Sequence, residues 1–408
     1  MATIHIDNLE PGMVLASDVT DTNGRMLLSK GASVDTKHLN MFKMWGVREV
    51  RIQQSGDADG KARHAVDPET MRKVAESLQP AFGDNDLTHP AVGEIFRQAV
   101  IHRSNRNHIR KSPSASVPAG DELPGSDANM RNKVGRRDIK LPESPSLVLK
   151  LNDTIADPFS SADDIARVIS TSPGLSAMLL RIVNSAFYGF PSRIDSVNRA
   201  VTIIGSKEVS ALAVGITTME MFKNIPASIF DLQAFTHHSL ACGVLARTLA
   251  TSGNIRNTEQ FFVSGLLHDI GRMVVFKYYS RHAMSMLGQA ADKGPSLYDV
   301  EKSVLGFRHT DIAGDLFKKW KFPVGLSQNV VYHHRPAAAQ DPDKAAIVHL
   351  ADIIAHSLGE GKSGEWRIPP LDQTAWDKLK LPPKTLSTAI PQAIEHLEFL
   401  LTVFQAGD

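Results

Sequence analysis

Five stretches of the chain place histidine or aspartate where an apolar helix face is expected. In FTHHSLACGVLARTLA the positions Phe235, His238, Cys242, Leu245 and Leu249 follow helical spacing. His238 therefore faces inward, while His237 is rotated about 100° away. FFVSGLLHDIGRMVVF is apolar nearly all round, as a buried helix is, and His268 and Asp269 stand side by side within it. Burying that pair is costly unless both groups are hydrogen-bonded or bound to a metal. His309 shares a face with Ile312, Ala313, Leu316 and Trp320; His334, next to His333, continues the stripe Leu326 and Val330 before Pro336; and Asp352 interrupts the apolar run AAIVHLADIIAHSL. Any one such histidine is satisfied by a core hydrogen bond. Together, His238, His268, Asp269, His309, His333 or His334, and Asp352 form a set of nitrogen and oxygen donors suited to zinc, iron, manganese or nickel. One ion needs about four of them, so the set suffices for one or two divalent ions.

Helices are the elements that must position these groups. Beyond about residue 140 the pattern is of long amphipathic helices: Ser160 or Ser161 caps SADDIARVIS, Pro173 opens PGLSAMLLRIVNSAF, and Gly205-Ser206 precedes KEVSALAVGI. The fold class is mainly α, with an all-helical domain over residues 141–408. Residues 1–54 read as a small β-rich α+β domain: Ile4 and Ile6 alternate with polar neighbours, and MVLASDV and RMLLSKG flank an Asn23-Gly24 hairpin turn. Thr36 can cap a short helix carrying Leu39, Phe42 and Trp45, which Gly46 stops before VREVRI resumes an extended pattern. Residues 55–102 carry two connecting helices, through Met71, Val74 and Leu78 and through Val92, Ile95 and Val100. Residues 103–140 turn to Ser, Pro, Gly, Asn and charge, too polar to build a core, and read as a flexible linker. Its basic ends, RSNRNHIRK and RNKVGRRDIK, are a solvated surface to which no function is given.

Composition narrows the function classes. With 45 Lys+Arg against 44 Asp+Glu, the chain has no global field that calls for nucleic acid or an anionic surface. Its single cysteine rules out an internal disulfide framework, and the opening MATIHIDNLEPGM lacks both regions of a signal peptide. No apolar run nears transmembrane length, so a cytoplasmic protein with no membrane partner is expected. Neither a Gly-x-Ser-x-Gly elbow nor a Gly-rich phosphate loop with Lys-Ser/Thr is present.

The segments LPESPSLVLKL, SPGLSAMLLRIVNSAFYG, SRIDSVNRAVTIIG, HHSLACGVLA, GLLHDIGR, HTDIAG, YHHRP and HLAD together resemble the HDOD domain, over roughly residues 141–405. NSAFYG followed by RIDSVNRAVTIIG carries the specificity of that likeness. Its own reading is a helix end ended by Gly189 and Pro191, with Phe187 packing inward. NLEPGMVLASDV, GRMLLSKG and MWGVREVRI are similar to the small domain that precedes HD-GYP and HDOD domains.

The resemblance implies a bacterial signal-transduction protein in the HD superfamily, a mostly non-catalytic relative of the HD-GYP cyclic di-GMP phosphodiesterases. By it, His238, His268, Asp269 and Asp352 match the core metal ligands, and His309 with His333 or His334 the extended two-metal set. Two departures stand out: RPAAAQDPDKA follows His333-His334 in place of a GYP loop, and Arg272 replaces the lysine of the HD-GYP enzymes. Arg272 keeps the charge and can bind phosphate bidentately but cannot shuttle protons. The expectation is a regulatory module that binds a protein partner or a ligand such as a nucleotide, keeps its metal site, and has no assigned catalytic residue. The alternative is a metal-dependent phosphohydrolase acting on a nucleotide or other phosphoester, in which the ions lower the pKa of a bridging water.

Overall fold

The computed structural model describes residues 2–6, 9, 13–20, 26–32, 34, 38–39, 42, 47, 49–52, 67–106 and 139–405, less 186, 191, 224, 226–228 and 292–293. The chain divides into two compact units, residues 1–65 and 66–408.

The amino-terminal unit is built on two antiparallel strand pairs. β1 (Ala2–His5) pairs with β4 (Glu49–Ile52) in the register Ile4↔Val50, and β2 (Val19–Thr20) pairs with β3 (Met26–Leu28). Ile6, Leu9, Leu15, Val19, Val34, Phe42 and Val50 close its core. His38, Leu39 and Phe42 are helical, whereas Thr36, the Asn23-Gly24 turn, Trp45 and Gly46 lie outside the described residues.

The second unit is helical, with no strand among its described residues. It opens with α1 (Pro68–Leu78) and α2 (Pro90–Asn105), and resumes with α3 (Ser146–Ala156), α4 (Ala162–Ser170) and α5 (Pro173–Val183). Next come α6 (Val197–Ile204), α7 (Ser206–Glu220), the long α8 (Leu232–Ser252), α9 (Thr258–Leu267) and α10 (Ile270–Tyr278). α11 (Ser280–Ala290), α12 (Leu297–Val304), α13 (His309–Lys319), α14 (Val324–Val331), α15 (Pro342–Leu358), α16 (Gln373–Leu379) and α17 (Leu386–Gln405) complete it.

Local chemistry sets several boundaries where the sequence reading puts them. Ser161, rather than Ser160, forms a reciprocal capping box with Asp164; Pro173 occupies the first turn of α5; and α7 starts at Ser206 after Gly205. α8 lies at the centre, packed by α9, α15 and α17.

Four features depart from the sequence reading. The apolar run 261–276 is two helices, not one: α9 ends at Leu267, α10 begins at Ile270, and His268-Asp269 occupy the break. α14 stops at Val331, so His333 and His334 sit in the turn after it rather than on its stripe. α1 and α2 do more than connect, since Val74, Leu78, Phe82, Val92 and Ile95 are buried in the same core as α8. Residues 103–105, read as the start of a linker, belong instead to α2, which runs on to Asn105. Residues 107–138 lie outside the described residues.

Arg103 explains why α2 extends that far. It is buried, its Nε donates to the Ser357 carbonyl at 2.7 Å, and its Nη2 donates to the His356 carbonyl at 3.1 Å. These are carbonyls in the last turn of α15, where helical hydrogen bonding leaves acceptors short of partners, although the His356 carbonyl also accepts from the Gly359 N–H at 3.2 Å, and a cation suits that end of the helix dipole. Arg103→Met, which keeps an apolar stem, should lower stability by about 2–3 kcal/mol in urea denaturation, as expected for charged hydrogen bonds lost from a buried site. An unchanged midpoint would show that α2 does not anchor α15.

Candidate metal centre

The sequence-derived donors converge from four sources: α8, the α9–α10 break, the segment from α13 to the turn after α14, and α15. They separate into two neighbouring groups, in each of which one donor atom per residue lies within 4.8 Å of the others. One group is His238, Cys242, His268 and Asp352; the other is Asp269, His309, His333 and His334. Every residue expected from the sequence is present, with both His333 and His334 included.

In the first group, Asp352 Oδ1 lies 3.2 Å from His238 Nε2 and 3.5 Å from His268 Nε2. In the second, Asp269 Oδ1 lies 3.1 Å from His309 Nε2 and 4.0 Å from His333 Nε2. His268 and Asp269 link the groups, with Nε2 to Oδ2 at 3.4 Å.

The rings are oriented by what holds their far nitrogens. His268 Nδ1 donates to the Gly265 carbonyl at 2.7 Å, His333 Nδ1 to the Val330 carbonyl at 2.6 Å, and His238 Nδ1 to the Glu360 carbonyl at 3.3 Å. Because a carbonyl only accepts, Nδ1 carries the hydrogen in each pair, leaving Nε2 with its lone pair toward the cluster. His309 is set the same way by Glu301, whose Oε2 accepts from both its Nδ1 (2.6 Å) and its backbone N–H (2.9 Å).

What faces inward is left without partners. His268 Nε2, His309 Nε2, His333 Nε2, His334 Nε2 and Asp269 Oδ1 are buried and make no hydrogen bond among the described residues. Orphaned polar atoms are rare in cores, because each costs about 1–3 kcal/mol. Five of them converging have the arrangement of a ligand set, and their types fit a divalent transition ion.

Protonation agrees with that reading. Burial pushes the imidazoles of His238 and His333 down, to about 4 and about 3, and burial with the neighbouring His333 and His309 holds His334 well below its ordinary value. Burial opposes ionisation of Asp269 and Asp352, yet Arg272 beside the first and His356 beside the second keep both carboxyls well below the usual range. These donors are thus neutral imidazoles and charged carboxylates, the forms that bind metal. His268 differs: burial disfavours its charge, but flanking Asp269 and Asp352 raise it to about 10, so without an ion Nε2 carries a proton that metal binding would displace.

Arg272 is committed inside this network. Its Nη1 donates to Asp269 Oδ2 at 2.7 Å and its Nε to Glu301 Oε1 at 2.8 Å, with only 1% of the residue exposed. A phosphate approaching it would find Nη2, the atom with no hydrogen-bond partner among the described residues.

Gly271 is what lets the two groups meet. A Cβ there would stand 2.0 Å from the His309 carbonyl oxygen, so α10 can approach the start of α13 only with glycine at this position.

Several participants escaped the sequence reading. Cys242 was visible as the residue four after His238 on the same face, but was read with the apolar stripe. His356, whose Nε2 lies 3.2 Å from Asp352 Oδ1, follows Asp352 by the same helical interval. Glu301 and Glu360 gave no signal, since neither lies near a donor in sequence. Glu360 is 2% exposed, and each carboxylate oxygen accepts from a histidine at 2.6 Å, Oε1 from His102 of α2 and Oε2 from His237.

Comparison with known proteins follows the same lines. Residues 141–336 match the model of the HDOD domain. An uncharacterized protein of Treponema pallidum (strain Nichols) is 24% identical over 239 residues, which is 58% of this chain and 45% of that relative. The match therefore spans less than half the relative's length. Among solved structures, an HDOD domain protein with unknown function from Geobacter sulfurreducens aligns with a TM-score of 0.52 at 21% identity, covering 64% of this chain and 93% of its own. A protein from Shewanella amazonensis SB2B, named as a candidate phosphohydrolase, gives a TM-score of 0.52 at 22% identity over 65% and 94%. At such identities the likeness is one of fold. Among the described residues, no helix is long and apolar enough to cross a membrane.

Two predictions follow from the geometry. Gly271→Ala should destabilise the protein by about 3 kcal/mol or more, since backbone must move to admit the methyl group, and thermal unfolding will show it. Near-wild-type stability would mean that α10 and α13 separate freely. Glu360→Gln should cost about 2–3 kcal/mol at neutral pH. Burial disfavours the Glu360 carboxylate, but hydrogen bonds from His102 and His237 hold it far below its ordinary 4.5. A depressed carboxyl contributes its full stability above 4.5 and loses it as pH falls. The gap between wild type and Glu360→Gln should accordingly narrow below that pH in urea titrations; a constant gap would assign the effect to packing alone.

Proposed function

Residues 141–336 form an HDOD domain, and from that premise we propose that the protein is a signal-transduction module that acts by binding a protein partner, with its buried metal centre serving structure rather than turnover. The observation that carries this reading is the near closure of the donor set: His238, His268, Asp269, His309, His333 and Asp352 are each no more than 2% exposed, and His334 alone among the donors is half-buried. A hydrolytic centre needs an open coordination position and a route by which a phosphoester and a water reach it. A surface cavity of about 240 Å³, lined among others by Asn152, Lys207, Glu208, Gln260 and Leu326, shares no residue with either donor group.

Electrostatics supports the same choice. Phosphoryl transfer is served by cations free to meet the developing charge. The cation nearest these donors, Arg272, is already paired with Asp269 and Glu301. Bound ions would be held by the two donor groups, and the chemistry such ions supply is charge neutralisation and polarisation of an oxygen ligand. Here the polypeptide's own contribution is to orient the imidazoles and keep water out.

The phosphohydrolase reading has one specific support, the donor set itself, which holds enough ligands for two ions. The decisive assay uses the full chain loaded with manganese, iron or zinc and tested on cyclic dinucleotides, nucleotides and a chromogenic phosphodiester. The expected rate equals that of the His268→Ala, Asp269→Ala double variant. A wild-type rate well above it, dependent on metal, would replace the regulatory reading with the hydrolytic one.

A further inference from the structure

Cys242 is the chain's sole cysteine, and it is fully buried at the edge of the apolar core with its sulfur beside metal-ligand types. Its Sγ lies 3.5 Å from His238 Nε2 and 3.9 Å from Asp352 Oδ1. Within the same group, His238 Nε2 and His268 Nε2 lie 3.2 Å and 3.5 Å from Asp352 Oδ1. A tetrahedron with zinc–nitrogen, zinc–oxygen and zinc–sulfur bonds of about 2.0–2.3 Å has edges of about 3.3–3.8 Å. These four edges fall on or within about 0.1 Å of that range, and all four donor atoms lie within 4.8 Å of one another.

The fourth corner is open to sulfur for a reason visible in the neighbouring group. Asp269 turns Oδ1 toward His309 and gives Oδ2 to Arg272 at 2.7 Å. Arg272 thus takes the shorter contact of Oδ2, which stays 3.4 Å from His268 Nε2, and Cys242 supplies the first group with a donor from α8 itself, one turn beyond His238. The buried His268 Nε2, which has no hydrogen-bond partner among the described residues, independently marks the same point as a ligand position.

We propose that His238, Cys242, His268 and Asp352 form a closed tetrahedral site selective for zinc, with the Cys242 thiolate as its fourth ligand. The inference rests on reading the cluster as a metal centre and adds to it the identity of one ligand and one ion. A thiolate prefers zinc over magnesium, manganese or calcium, which take oxygen donors. Four protein ligands complete the zinc shell, leaving no position for water, as in structural sites. On uptake the S–H bond is replaced by a Zn–S bond, and the thiol proton passes to solvent. The second group, with three imidazoles and one carboxylate, has no sulfur and is correspondingly less selective.

Cobalt(II) substitution tests this directly, because cobalt enters tetrahedral zinc sites and a thiolate ligand adds an intense near-ultraviolet charge-transfer band. The full chain, stripped with chelator and held in thiol-free buffer, is titrated with cobalt(II). The expected result is that band, rising with the first equivalent, together with the visible bands of tetrahedral cobalt. Zinc should bleach it stoichiometrically. Cys242→Ser should abolish the band and weaken zinc binding on the order of 100-fold, with circular dichroism reporting whether the variant folds. If the variant does not fold, the wild-type spectrum still decides, since one cysteine accounts for any sulfur signal. Cobalt bound without the band overturns the thiolate assignment while leaving a metal centre in place. Failure to bind cobalt or zinc at all overturns both.

Discussion

A desolvated carboxylate or imidazole must be answered by another charge, a hydrogen bond or a metal, and this constraint organises the helical unit. Asp269 and Asp352 are buried at the centre of the domain and each meets several imidazoles. Removing a carboxylate from water costs several kcal/mol even after relaxation, so the surrounding scaffold has to be arranged around the compensation. Arg272, itself anchored by Glu301, answers one side of Asp269, and His356 answers Asp352. The inward-facing Nε2 atoms are the part left over, and they converge because their far nitrogens are tied to backbone carbonyls or to Glu301.

That arrangement reaches beyond the region matching the family. α2 precedes residue 141, yet its Arg103 caps the helix that carries Asp352, and its His102 shares Glu360 with His237, the neighbour of His238. The Glu360 carbonyl in turn accepts from His238 itself. Gly361, at φ +70°, makes that approach feasible, since a Cβ there would collide with the backbone of Ala234 and His238. Orientation of the His238 ring thus depends on a helix some 130 residues earlier in the chain, and a fragment beginning at residue 141 would lack two of the groups that set it.

The parts of this that the sequence revealed share a physical character. Periodicity reports burial, so inward-facing His238, His309 and Asp352 were legible, as was the cost of an adjacent His268-Asp269 in an apolar run. Caps report helix starts, so Ser161, Pro173 and Ser206 were legible as well. The break inside 261–276 was not, because continuous apolar character looks the same in one buried helix or two. Glu301 and Glu360 were invisible for a different reason: a buried glutamate is distinguished from a surface one only by what lies opposite it, and their partners are distant in sequence or on another helix. Cys242 failed through ambiguity of type, since a thiol counts as apolar until a metal or base stands beside it.

Arg272 shows how a conservative-looking residue alters a site. A lysine at this position would offer a point charge on a flexible stem, able to swing between partners. The planar guanidinium instead spans two carboxylates at once, holding Asp269 Oδ2 with Nη1 and Glu301 Oε1 with Nε. Two oxygens that face in different directions are thereby fixed to one rigid fork, and Asp269 is left with a single free oxygen, Oδ1, turned toward His309. The same fork fixes Glu301, which fixes the His309 ring. The choice of arginine therefore biases the donors: Asp269 turns Oδ1 toward the second group and holds Oδ2 against Arg272, 3.4 Å from His268 of the first. Whether an ion in this protein faces four closed ligands or an open position is settled less by the histidines, whose types suit either case, than by the cation standing behind Asp269.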